Sequence, residues 1–168
     1  MSDLANSFST MFREEHRAVR DALLDLMQAF EQRSSERART LVGRIAALTG
    51  PHFRYEEETL YPALVEIFGS SYIRSLYQDH DGAIQGAERL AVLSNQDAWN
   101  ETEVEEGIAL VRDILPHVSD CDGLSIMVER LPDNKIEEIF TSRERCNKAG
   151  VDLLQWAQEF RESTELSW

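Results

Sequence analysis

Apolar residues recur at steps of three and four along almost the whole chain, a period that suits α-helices. Phe8, Phe12, His16, Val19, Leu23, Leu26 and Phe30 trace a first stripe. Leu41, Ile45, Leu48, His52, Glu56, Leu60 and Leu64 trace a second, and Ile73, Leu76, His80, Ile84, Ala87 and Leu90 a third. The fourth runs through Ile108, Val111, Ile114, Leu115, Val118, Cys121, Leu124 and Val128. A fifth carries Ile136, Phe140, Leu153, Leu154, Ala157 and Phe160. No segment alternates with period two, so an all-α fold is expected.

Breaks in the pattern fall where turn and cap chemistry allows them. Ser34-Ser35, Gly69-Ser70-Ser71, the polar stretch Ser94 to Asn100 around Trp99, and Pro132-Asp133-Asn134 separate the stripes. Gly50-Pro51 interrupts the second, and Pro62 stands near its end. Thr102 with Glu105, and Asn134 with Glu137, have the spacing of capping boxes. Four long helices with short connections predict an antiparallel bundle. Residues 1–131 would form it, and 132–168 would add a C-terminal helix packed on it. Gly82, Gly86, Gly107, Gly123 and Gly150 fall inside expected helices, where each costs about 1 kcal/mol against Ala; close helix approach is the simplest reason, and space for a small ligand near the core is the alternative.

The chain has 168 residues, which suits one domain with an extra element and a core that needs no staples. A net charge of −14 leaves no basic surface for phosphates, which excludes nucleic-acid binding and disfavours anionic membranes. Two cysteines, Cys121 and Cys146, are too few for a disulfide framework. Residues 1–7 lack a basic stretch leading into an apolar one, and no apolar run is long enough to span a bilayer. A cytoplasmic protein is the expectation.

The four histidines stand one to a helix, each in its apolar stripe: His16, His52, His80 and His117. A single core histidine is ordinarily structural. Four aimed at one core are the makings of a metal site, since neutral imidazole is the commonest metal ligand and bundles assemble such sites from facing helices. His52 and Glu56, spaced i, i+4, share a face. Glu57 and Glu58 rotate off it and read by default as solvated surface, with a supporting role behind the ligands as the alternative. Beside His117, Asp120 and Cys121 are closer on an ideal helix, whereas the stripe context favours Asp122. A buried carboxylate must be paired or bind metal, and a local widening of the helix would help an i+5 pair meet. Pro51 and Pro116 directly precede His52 and His117, where they could kink the helices and aim the ligands.

The succession of His, HxxxE, His and HxxxxD on four helices resembles the hemerythrin family of HHE cation-binding domains. Glu14-Glu15-His16, the run His52 to Pro62 and Asp79-His80 share in the resemblance, which covers about residues 8–131. It implies an up-down-up-down bundle holding two non-heme irons. His16 and His52 would ligate one and His80 and His117 the other. Glu56 and Asp122 would bridge them, with an oxo or hydroxo group completing the bridge. Oxygen carriers of the family place two histidines on the third helix, four residues apart; here the positions flanking His80 are Leu76 and Ile84. Glu15, Tyr55, Tyr77, Asp79 and Asp120 are candidate substitutes. The implied ligand is dioxygen or a related small molecule. The alternatives are an oxidase or peroxidase-like redox enzyme, or an iron or oxygen sensor acting through a partner. Tyr55, Tyr61 and Tyr77 read as packing residues, Cys121 and Cys146 as inert thiols, and Trp156 as an anchor for the fifth helix.

Overall fold

A computed structural model describes residues 2–162. Their helices are α1 (Asp3–Glu31), α2 (Ser35–Tyr55), a π-helical segment (Glu56–Leu60), α3 (Tyr61–Phe68), α4 (Ser70–Ser94), α5 (Glu101–Asp122), α6 (Leu124–Val128), α7 (Asp133–Ala149) and α8 (Leu153–Glu159). There is no strand among the described residues. Helix α1 packs on α2 and α5, and α4 packs on the same two, closing a four-helix ring.

Several local expectations are corrected. The fourth helix opens on Asn100 and Glu103, which form the capping box, and not on Thr102 and Glu105. Helix α7 starts after Pro132 with no side-chain cap, so Asn134 and Glu137 form no box. The single fifth helix is two. Gly150 adopts φ 61°, the left-handed conformation that suits glycine at a helix end, and closes α7. Asp152 then caps α8 through Gln155 N. Gly50-Pro51 does not interrupt α2, which runs on through both.

The core is divided along its length. On α1, Phe8 and Phe12 belong to one apolar cluster and Val19 and Leu23 to another. On α5, Cys121 joins the first cluster and Val111 and Val118 the second. Helix α4 splits the same way, with Leu76 and Tyr77 in the first and Leu90 and Leu93 in the second. Each of the four histidines lies at this boundary, so a polar layer crosses the bundle between two greasy ones.

The C-terminal helices cover one side of this layer. Helix α7 packs on α1, α2 and the π segment, and α8 on α2 and α4. Trp156, almost fully buried, joins Phe53, Ala83, Ile84 and Leu153 in a third cluster.

Candidate metal centre

All four histidines are buried and turn toward Glu56, which is fully enclosed. His16 Nδ1 donates to Phe12 O at 2.8 Å. His52 Nδ1 donates to Glu15 Oε2 at 2.7 Å, and His80 Nδ1 to Glu57 Oε1 at 2.9 Å. Carbonyl and carboxylate oxygens only accept, so each of these three rings carries a proton on its outer nitrogen. The inner nitrogens converge. His52 Nε2 is 3.3 Å from His16 Nε2 and 3.2 Å from Glu56 Oε1, and His80 Nε2 is 3.0 Å from Glu56 Oε2.

Neither oxygen of Glu56 has an aligned hydrogen bond, although both are buried. A carboxylate at 0% exposure is costly unless a proton donor or a cation faces it. Imidazole lone pairs and carboxylate oxygens at about 3 Å are the donor set of a cation site. Ligand atoms of His16, Glu56 and Cys121 fall within 4.8 Å of one another, as do those of Glu56, His80 and His117. Glu56 belongs to both groups.

The two sides match. The His16 and His52 rings meet edge to face at 4.7 Å and 90°, the His80 and His117 rings at 4.8 Å and 82°. Within each pair the surroundings pull the two rings in opposite directions. Burial opposes charge on His52, but Glu56 and Glu15 outweigh it and raise its pKa to about 10. His80 is raised likewise against burial, by Glu56 and Glu57. Burial, reinforced by the charge of its neighbour, lowers His16 to about 4 and His117 to about 3. Glu56 resists burial through His52 and His80 and stays well below the ordinary carboxylate range.

A family model, the hemerythrin HHE cation-binding domain, matches residues 7–124. The chain belongs to the hemerythrin HHE cation-binding family. No curated protein and no solved structure matches it. An HHE domain is a metal-binding helical domain, and in this one the polar layer holds the His/Glu groups that could take a cation.

The remaining predicted residues are placed unevenly. Asp122 ends α5 beside Gly123, partly exposed, with its buried Oδ1 lacking a partner and 3.8 Å from His16 Nδ1. It stands outside both close groups, whereas Cys121 stands inside one. Burial pushes the Cys121 thiol well above its ordinary range. The widening considered for α5 occurs instead after His52, as the π segment Glu56–Leu60. That segment corrects the reading of Glu57 as solvated surface: Glu57 is buried, while Glu58 is exposed as expected.

The tyrosines read as packing residues are hydrogen-bonded. Tyr55 donates to Glu15 Oε2 at 2.6 Å and Tyr77 to Glu57 O at 2.7 Å. The Tyr61 hydroxyl is 3.0 Å from His80 Nε2, on the inner side, and 3.4 Å from Cys121 Sγ. Burial raises its pKa far above the ordinary value, so it keeps its proton. Among the substitutes for the absent third-helix histidine, Glu15 and Tyr55 therefore serve the outer edge of His52. Asp79, exposed, is 3.8 Å from His117 Nδ1. A groove of about 470 Å³ between α4 and α5, lined by Asp79, Gly82, Gly86, Pro116, His117 and Asp120, reaches this HHE domain's histidine layer.

Proposed function

We propose that the chain is a non-heme di-iron protein that binds dioxygen or a related small molecule in the histidine layer. The observation that carries this reading is Glu56, a buried carboxylate with two orphaned oxygens, each facing the inner nitrogen of a different imidazole pair. One carboxylate shared by two matched half-sites is the arrangement that two adjacent cations require. His16 and His52 would hold one iron, His80 and His117 the other, with Glu56 and Asp122 as carboxylate ligands between them. The irons would supply electrons for binding a diatomic ligand.

The chain's own groups do the rest. Glu15 and Glu57 hold protons on the outer nitrogens of His52 and His80, so that it is the inner nitrogens that would give up a proton to coordinate a cation. Phe12, edge-on to His16 and tilted against His52, and Phe53, flat against His80, keep bulk water from the layer. The groove beside His117 gives a small molecule its approach.

Metal analysis and an optical spectrum, recorded reduced and then in air, test the proposal. About two irons per chain and a near-UV charge-transfer band in air are expected. A colourless protein that retains no iron after reconstitution would sink it. Turnover separates the alternative: rapid consumption of dioxygen or peroxide favours a redox enzyme, and a stable reversible adduct favours binding. The enzyme reading is motivated by Leu76 and Ile84, which leave the second half-site short of an imidazole.

A further inference from the structure

Two arginines from the C-terminal helices reach the histidine layer. Both lie beyond the family match, which ends at residue 124. Arg143, on α7, donates through Nε to Glu15 Oε1 at 2.5 Å, while the other oxygen of Glu15 takes His52 Nδ1. Arg161, just past α8, lays its guanidinium fork on Glu57: Nη2 to Oε1 at 2.8 Å and Nε to Oε2 at 3.1 Å. Glu57 Oε1 also takes His80 Nδ1. The same guanidinium binds Asp81 Oδ1 at 2.6 Å and lies over the Trp156 ring at 5.7 Å. The result is two chains of the same composition, Arg143–Glu15–His52 and Arg161–Glu57–His80, one for each half-site.

We propose that Arg143 and Arg161 are positioning residues for His52 and His80, so that the C-terminal helices set how the centre's imidazoles are held. This rests on the reading of those imidazoles as metal ligands. A carboxylate held at one edge by a histidine alone can rotate and hydrate, and the ring it orients can turn with it. Fixing the carboxylate with a guanidinium removes that freedom. The Arg161 fork is the stronger clamp, because bidentate Arg–carboxylate pairing fixes geometry as well as charge. A tie that merely fastened α7 and α8 would need no contact with the ligand-orienting carboxylates. Arg145 on Glu58, at 2.6 Å on the exposed side, is such a tie.

The test uses the full chain as Arg143→Gln and as Arg161→Gln. Histidine side-chain 15N signals of the metal-free protein report tautomer and hydrogen bonding ring by ring. Arg143→Gln should move the His52 signals and leave those of His80, and Arg161→Gln should do the reverse. With Fe(II) as the probe, each variant should lose metal about tenfold faster, the low end of the loss seen when an outer partner of a ligand is removed. Should Arg161→Gln fail to fold, Arg161→Lys keeps the charge without the fork, and the same His80 signals decide. Signals that stay in place, or that move equally for both rings, overturn the proposal. Ring-specific shifts in a parent protein that binds no iron uphold the positioning and overturn the metal reading alone.

Discussion

Gly50 meets the backbone of Val151 so closely that a Cβ on Gly50 would lie 2.3 Å from Val151 O. The connection between α7 and α8 is seated on α2 two residues before His52, and only glycine leaves room for it. Gly50→Ala must push backbone from backbone, and overpacking of this kind costs roughly 1–3 kcal/mol. Gly43, on the same helix, has open space around its missing side chain. Gly43→Ala should therefore stabilise by about 0.5–1 kcal/mol through helix propensity. Opposite shifts in urea unfolding midpoints check the pair.

The metal-free protein should be most stable near pH 6.5. His16 and His117 refuse protons down to about 4 and about 3, while the unfolded chain takes them near 6.5, so stability rises with pH across that acid window. Glu15, lowered to about 2 against burial by its bonds to His52 and Tyr55 and by Arg143, adds to the acid loss below its ordinary 4.5. His52 works the other way. Its proton, held to about 10, stabilises fully below 6.5 and is lost progressively as pH rises to about 10. Bound cations displace that proton, so the alkaline decline should flatten in the iron-loaded protein. Thermal unfolding across pH, with and without metal, reads both limbs.

Glu56→Gln keeps the shape of the shared side chain and removes its charge. On the di-iron proposal both half-sites lose their common ligand, so iron content should fall below one per chain, with at least about tenfold weaker binding. The pKa of His52 should drop from about 10, since Glu56 is the largest influence raising it. Metal titration and histidine NMR measure the two effects.

Cys121 and Asp122 make opposite predictions about the end of α5. If Asp122 supplies the carboxylate, Asp122→Asn lowers iron affinity about tenfold or more and Cys121→Ser leaves it unchanged. Asp122 Oδ1, buried and unpartnered, favours that outcome, while the position of Cys121 within a close group sets the contrast. Parallel iron titrations of the two variants decide which side chain belongs to the centre.

What could be read from sequence was what repeats locally. The stripes placed each histidine on its own helix, and i, i+4 spacing picked out Glu56. The break at Gly150 escaped because the apolar positions of α7 and α8 keep a compatible period on either side of it. The capping box was displaced because Asn100/Glu103 and Thr102/Glu105 both satisfy the pattern, and only the backbone decides between them. The burial of Glu57 is not legible in the sequence because Glu57 lies in the π segment, which no spacing rule announces, although its place behind a histidine matches the alternative of a supporting role. Arg143 and Arg161 carry no local signal at all: their partners lie 128 and 104 residues away in the chain.

The π segment Glu56–Leu60 amounts to one residue more than an α-helical register would use over the same path. Each residue of an α-helix turns the chain by about 100°. Carried in a regular α-helix, the extra residue would swing everything after it by that angle and take Tyr61 and Leu64, both fully enclosed, off the core face; the wider turn absorbs it. Glu58 is exposed and should accept replacement by many side chains, and its deletion should close the segment to an ordinary α-turn with Tyr61 and Leu64 still on the core face. The extra residue is therefore dispensable to the core and bears on the carboxylates the segment carries, Glu56 and Glu57.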